Sequence, residues 1–219
     1  MQTRFLFRLL KPFSSLIARQ LALPSGWFGG VIMTRALNRG NRKLVEATLD
    51  HLSLGPGSSL LDVGFGGGLL LWLARDRGVT TLAGIDPSEV AVDRLRTSLS
   101  RVSWSLQLRI ERGSVESMPF ETGAFDCVAS TNTVYFWRDL DAAFAELQRV
   151  LRPGGQLAIG FSGRSKLQSF GHITRQGFTF HDEQALVEAA LRAGMRDVRL
   201  IPLHGEITAG DFVLCARGN

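Results

Sequence analysis

Leu60-Leu61-Asp62-Val63-Gly64-Phe65-Gly66-Gly67-Gly68 joins an apolar run to a cluster of glycines, and Gly84-Ile85-Asp86 closes the next apolar run. Leu60, Leu61 and Val63 suit a strand covered on both faces, the condition of a parallel sheet. Glycines directly after such a strand let the chain turn sharply and bring bare backbone against a ligand. Asp86 follows about twenty positions on, where a carboxylate can accept from both vicinal hydroxyls of a ribose. Two strand ends of this composition describe a nucleoside site.

Glycine spacing separates two classes of cofactor. In the dinucleotide pattern G-x-G-x-x-G the third glycine supports the close helix packing that aims a helix N-terminus at a pyrophosphate, and Leu69 stands in that place here. The chain instead reads Asp62-x-Gly64-x-Gly66-x-Gly68. A carboxylate two residues before the first glycine repels a pyrophosphate and attracts a cation. In this the segment resembles the first motif of the class I S-adenosylmethionine-dependent methyltransferases, whose cofactor carries an ammonium and a sulfonium. The resemblance runs from about Asn41 to the C-terminus and is most specific at Asp62 to Gly68 and Asp86. It implies S-adenosyl-L-methionine held by Asp62, Gly64, Phe65, Gly66, Gly68, Asp86 and Pro87. A nicotinamide-dependent reductase is the alternative enzyme, disfavoured by Leu69 and Asp62.

Two later segments extend the resemblance. Gly113-Ser-Val-Glu-Ser-Met-Pro-Phe120, followed by Phe125-Asp126, is similar to the family's G-D-A-x-x-L-P-F…F-D stretch, in which an acid takes the adenine amino group. Ser114 replaces that acid, so the contact becomes a hydroxyl acceptor or is lost, while Val115 keeps a backbone amide for the ring. Glu116 is expected to be a solvated loop charge. Ser130-Thr-Asn-Thr-Val-Tyr-Phe-Trp137 lacks the paired prolines of enzymes that methylate nucleobase amines or glutamine amides. It looks like the small-molecule branch, N-x-x-x-x-W-x-D, with Asn132, Trp137 and Asp139 in those places, and the resemblance counts Asn132 with Ser114 and Val115 among the cofactor-binding residues. Tyr135, Phe136 and Trp137 are expected either to wall an aromatic acceptor pocket or to be core.

The implied reaction is an in-line displacement at the methyl carbon, in which orientation and exclusion of water supply much of the acceleration. A general base is optional; Tyr135, His172 and His181 are the candidates. Residues 163–180, rich in Gly, Ser and aromatics, are expected to close over a small, apolar or aromatic acceptor. No metal site is expected: there is no cysteine or histidine framework and no carboxylate beside Asn132.

The order of elements predicts the architecture. Helices are expected from near Asn41 to His51, over Leu69 to Arg77, Ser88 to Ser100, Asp141 to Leu151 and Asp182 to Ala193. Strands are expected near Leu60, at Thr81 to Asp86, Leu106 to Arg112, Phe125 to Ser130 and Gln156 to Phe161, with Arg152-Pro-Gly-Gly155 as a turn. Alternating strands and helices make the sheet parallel. Val198 to Ile201 and Phe212 to Cys215 are joined too tightly for a helical crossover and should pair antiparallel. The expectation is an α/β, Rossmann-like fold with a seven-stranded, mostly parallel sheet containing one antiparallel strand, plus an N-terminal helical appendage.

A chain of 219 residues, 45% of them hydrophobic, suffices for one such domain, residues 41–219, with an appendage over residues 1–40. Charge is uneven along it. Arg4, Arg8, Lys11, Arg19, Arg35, Arg39, Arg42 and Lys43 all precede the first acidic residue, Glu46, whereas the rest is net acidic. Phe5, Leu6, Leu9, Leu10, Phe13, Leu16 and Ile17 recur at helical spacing opposite the basic residues. Such a basic amphipathic helix over residues 1–20 serves as a cover for the core, a substrate lid, a peripheral membrane contact or an organellar targeting segment. Arg8 and Lys11 argue against a secretory signal. Cys127 and Cys215 lie in apolar runs and read as buried thiols of a reducing, cytoplasmic compartment. The non-enzymatic alternative is a membrane- or nucleic-acid-binding module with a vestigial cofactor pocket; aromatic-basic interleaving is lacking, so nucleic acid is not expected as a partner. The sequence leaves oligomeric state open.

Overall fold

A computed structural model describes residues 34–101, 107–169, 179, 181–205 and 208–219. In chain order the elements are α1 (Thr34–Asp50), β1 (Ser59–Val63), α2 (Leu69–Asp76), β2 (Thr81–Asp86), α3 (Glu89–Leu99), β3 (Gln107–Arg112), β4 (Phe125–Thr131), a 3₁₀ turn (Val134–Phe136), α4 (Leu140–Val150), β5 (Leu151–Ser162), α5 (Arg164–Ser169), α6 (Glu183–Arg192), β6 (Arg196–Pro202) and β7 (Asp211–Arg217). The seven strands form one sheet in the order β3-β2-β1-β4-β5-β7-β6. β7 runs antiparallel to both of its neighbours, and the pairings of β1 with β2 and β4, β2 with β3, and β4 with β5 are parallel.

Sequence chemistry accounts for these elements. Every residue of β1 is buried, and the apolar layers on either side explain why. Val45, Leu49, Leu70, Leu71, Ala74, Val92 and Leu95 of α1, α2 and α3 pack one face; Phe144, Leu147, Leu186 and Ala190 of α4 and α6 pack the other. Ser88, Asp139 and Asp182 cap α3, α4 and α6 through side-chain oxygens that accept from the amides of Ala91, Ala142 and Gln184, each worth about 1 kcal/mol.

Two expectations are corrected. α1 begins at Thr34 and runs through Gly40; a helical glycine costs roughly 0.5–1 kcal/mol against alanine, and packing of Leu44, Val45 and Leu49 overrides it. Arg152-Pro153-Gly154-Gly155 is not a turn between helix and strand. The chain passes from α4 directly into β5, and these four residues bulge within the strand, since Phe125 pairs with Leu151 and Cys127 with Gln156. Gly154 takes φ 73°, and Arg152 reaches across to Asp126 at 2.6 Å. The amphipathic segment over residues 1–20 lies outside the described residues.

Candidate functional site

The order β2-β1-β4 puts the chain reversal beside the carboxyl end of β1, the crevice in which open α/β sheets bind ligands. There Gly64, Gly66 and Gly68 take φ 77°, 49° and 74°, a region that side chains enter at a cost of about 1–2 kcal/mol. Gly64 donates to Ile85 O and Gly68 to Phe65 O, each at 2.7 Å. A Cβ at Gly66 would have no atom of the described residues within 4 Å, so among these Gly66 shows bare backbone to open space. Asp86 ties the loop to β2: Oδ2 accepts from Gly66 N–H and Oδ1 from Ser88 N–H, both at 2.8 Å. Burial raises the Asp86 pKa and these two hydrogen bonds oppose the rise. Each oxygen has a lone pair left for a diol. Pro87 is exposed on the rim beside it. Phe65 is 5% exposed and packs in the core, so only its backbone can serve the site.

Asp62 sits at the floor. It is 2% exposed, and among the described residues Oδ2 has no hydrogen-bond partner. Burial, with the nearby Asp86 charge as the lesser cause, lifts its pKa well above 3.8. Register aligns Asp62 with Ala129, so Thr131, two residues on, shares that face; its hydroxyl is likewise enclosed, without a partner among the described residues. Two such polar groups on adjacent strand ends suit an enclosed site for a polar cation. Alternation along β4 is the signal that would have picked out Thr131. Ser130 and Thr133 were missed for want of any such signal: the Ser130 hydroxyl donates to Val63 O at 2.7 Å and bonds the Thr133 hydroxyl, and the Thr133 methyl lies where a Cβ on Gly64 would fall.

Past β3, Ser114 and Ser117 form an isolated bridge, and Val115 is buried, leaving its backbone for ligand contact. Glu116 is not a solvated charge. Its Oε1 accepts from Arg138 N–H at 2.9 Å and its Oε2 from the Ser114 hydroxyl.

Asn132, just past β4, holds φ 58° and donates its N–H to Gly160 O at 2.8 Å. Its Oδ1 accepts from the Tyr135 hydroxyl at 3.0 Å, which leaves the amide N–H pair to offer. The Tyr135 hydroxyl also engages Ser162 O and N–H, and burial pushes its pKa strongly upward. A phenol held this way braces Asn132 and is unsuited to act as a base. Tyr135 and Trp137 are core rather than pocket wall: both are buried, and Trp137 stands edge-on to Phe144 at 5.8 Å. Phe136 alone of the three is half-buried. His181 places Nε2 3.1 Å from Trp137 O; a carbonyl only accepts, so Nε2 carries the proton and Nδ1 is the nitrogen left to accept. Thr179 donates to Tyr135 O at 2.7 Å. His172 lies outside the described residues. Among the described residues no cluster of three or more His, Cys, Asp or Glu could hold a metal ion. Cys127 and Cys215 are buried free thiols, Cys127 pushed up to about 11 by burial.

These residues fit S-adenosylmethionine: bare backbone at Gly66 for close passage, a carboxylate at Asp86 for the ribose, and an orphaned acid at Asp62 for the ammonium. Comparison with known proteins agrees. Residues 61–159 match the methyltransferase domain family. The chain is 34% identical over 139 residues to the uncharacterized methyltransferase YdaC of Bacillus subtilis, covering 60% of this chain and 74% of that one. It is 33% identical to a tRNA U34 carboxymethyltransferase of Idiomarina loihiensis, over 62% of this chain and 42% of that protein; several curated relatives are matched over less than half their length. A geranyl diphosphate methyltransferase solved with S-adenosylmethionine superposes with a TM-score of 0.70 at 19% identity, covering 91% of this chain and 94% of that one.

Proposed function

The chain belongs to the class I S-adenosylmethionine-dependent methyltransferases, and from that premise we propose that its acceptor is a small, apolar or aromatic molecule bound beside Asn132. The observation that carries this reading is the way the β5 to α6 connection is tied back: Thr179 and His181 both bond the turn that follows β4. Both contacts fall on the turn that leads on from Asn132, and a small acceptor is what the Asn132 to Trp137 segment, which lacks the paired prolines, implies.

When bound, the cofactor supplies an electron-poor methyl carbon on a sulfonium leaving group. The chain's own residues bind and orient. Asp86 would receive the ribose diol and Asp62 would face the ammonium, and the glycine backbone would let the nucleoside lie close. The Asn132 amide, whose oxygen accepts from the Tyr135 hydroxyl, has N–H groups to donate to an acceptor oxygen or nitrogen, and such positioning lowers the barrier. Of the named base candidates within the described residues, His181 is the one whose second ring nitrogen, Nδ1, is left as an acceptor by the contact of Nε2 with Trp137 O.

Transfer of labelled methyl groups in size-fractionated cell extract tests the reading. Label in the organic-soluble, low-mass fraction is the expected result. Label confined to RNA or protein would overturn it, RNA being the acceptor class of the tRNA-modifying relative.

A further inference from the structure

A buried charge pair stands at the end of β5, two hydrogen bonds away from Asn132. Ser162, the last residue of β5, pairs in register with Asp211, the first of β7, and its hydroxyl donates to Asp211 Oδ1 at 2.6 Å. Asp211 is 4% exposed. An anion so enclosed needs a countercharge, and Lys166 of α5 places Nζ 2.7 Å from the same oxygen. Gly210 lets the lysine stem come close: it takes φ 78°, and a Cβ on it would lie 3.2 Å from Lys166 Cβ. Its carbonyl accepts from Gly163 N–H at 2.8 Å, so α5 is tied to the start of β7 by backbone as well as by charge.

This corner reaches Asn132 through Tyr135. The Tyr135 hydroxyl accepts from Ser162 N–H, and it lies 3.1 Å from Ser162 O and 3.0 Å from Asn132 Oδ1. A phenol has one proton to give, so the placement of Ser162 decides how squarely that proton meets the Asn132 amide. Asp211 also acts on the phenol across space: burial first, then the Asp211 and Glu183 charges, oppose its ionisation against the bonds from Ser162, which keeps the hydroxyl a donor. We propose that Asp211 is a positioning residue, which with Lys166 and Ser162 fixes the Tyr135 hydroxyl and thereby turns the Asn132 amide N–H groups toward the acceptor. Its effect passes through Ser162 and Tyr135. The inference rests on the reading that the acceptor lies beside Asn132.

Tyr135 is the only tyrosine of the chain, so labelling tyrosine with carbon-13 at the ring carbon that bears the hydroxyl gives a single resonance that reports the bonding of that hydroxyl. In the full chain, Lys166→Met and Ser162→Ala should each move the resonance, and Lys166→Arg, which keeps the charge, should leave it near its parent position. Ser162→Ala leaves Asp211 paired with Lys166, so it decides the matter even where Lys166→Met does not fold. Transfer of labelled methyl groups from S-adenosylmethionine into the low-mass fraction of cell extract should fall roughly five- to tenfold in both variants, the worth of about one hydrogen bond. Affinity for S-adenosylhomocysteine, by calorimetry, should stay nearly unchanged. Adding Ser162→Ala to Tyr135→Phe should lower transfer no further than Tyr135→Phe alone, whereas independent structural damage would make the two losses multiply. A stationary resonance in a folded variant, or losses that multiply, overturns the positioning role. The resonance does not depend on the acceptor. A resonance that moves while transfer keeps its parent level therefore upholds the positioning of Tyr135 and overturns the placing of the acceptor beside Asn132.

Discussion

An acid enclosed at the end of β1 is comfortable neutral and costly as an anion, and Asp62 is such an acid in the free protein. Its folded pKa lies above 3.8, so the folded state binds the proton more tightly than the unfolded chain. That contribution to stability is present in full below about 3.8, declines as pH rises, and is gone once pH passes the raised folded value. Asp86 adds to the same trend, reduced by the two amides that it accepts. Asp62→Asn should therefore gain melting temperature relative to the parent as pH rises from about 4 to about 8, while binding the cofactor more weakly because the ammonium loses its countercharge. A melting-temperature difference independent of pH would place the raised acid elsewhere. At Asp86, Asp86→Ala should cost roughly 2–4 kcal/mol of cofactor affinity if each charge-assisted bond is worth about 1.5–3 and water replaces part of it; unchanged affinity by calorimetry would mean that another group holds the ribose. The acidic positions were legible in the sequence because a carboxylate after a buried apolar run has few other uses. That Asp86 also clamps the Gly66 amide was not legible, since the clamp depends on a turn geometry that residue types do not specify. Nor was Glu116, whose partner Arg138 is a backbone amide distant in sequence.

At the scale of elements, the loop from β1 to α2 separates binding from folding residue by residue. A Cβ at Gly66 meets nothing of the described residues within 4 Å, whereas one at Gly68 would come 2.6 Å from Leu95 Cδ1 of α3. Gly66→Val should then abolish cofactor binding at a stability cost limited to the left-handed backbone, about 1–2 kcal/mol. Gly68→Val carries the same backbone cost and must also displace a core leucine, so its melting temperature should fall further. Calorimetry and thermal melts on the pair check this, and retained binding in Gly66→Val would put the cofactor elsewhere. Elements bounded by their own chemistry were readable: β2 begins at Thr81 and ends at Asp86 as expected, and Ser88 caps α3. Arg152 to Gly155 was misread because Pro and Gly mark a bulge as readily as a turn, and only the register against β4 distinguishes them. The aromatics after β4 were ambiguous for a similar reason. Burial decides between pocket wall and core, and Phe144 on α4, which claims the Trp137 ring, comes from a separate element.

Across the whole molecule, charge and cofactor chemistry are separated along the chain. The residues proposed to hold the cofactor run from Asp62 to Asn132, while the eight basic residues before Glu46 precede all of them. Among the described residues, no helix is long and apolar enough to cross a membrane. A basic amphipathic helix over residues 1–20 that meets an anionic surface gains apolar burial together with attraction to lipid head groups, and the second contribution is screened by salt. Deleting residues 1–20 should leave cofactor affinity nearly unchanged, because Asp62, Gly66 and Asp86 stand on β1, β2 and the turn after β1, all later in the chain than the deleted segment. Turnover of an apolar acceptor should fall. Flotation with vesicles containing anionic lipid tells a surface contact from a lid: the intact chain should float at low salt and sink at high salt, and the truncated chain should sink at both. A lid would impair turnover on deletion while leaving flotation the same in both chains. Loss of the folded core on truncation, or full activity with unchanged flotation, would show that the segment serves neither role and that the acceptor reaches Asn132 without its help.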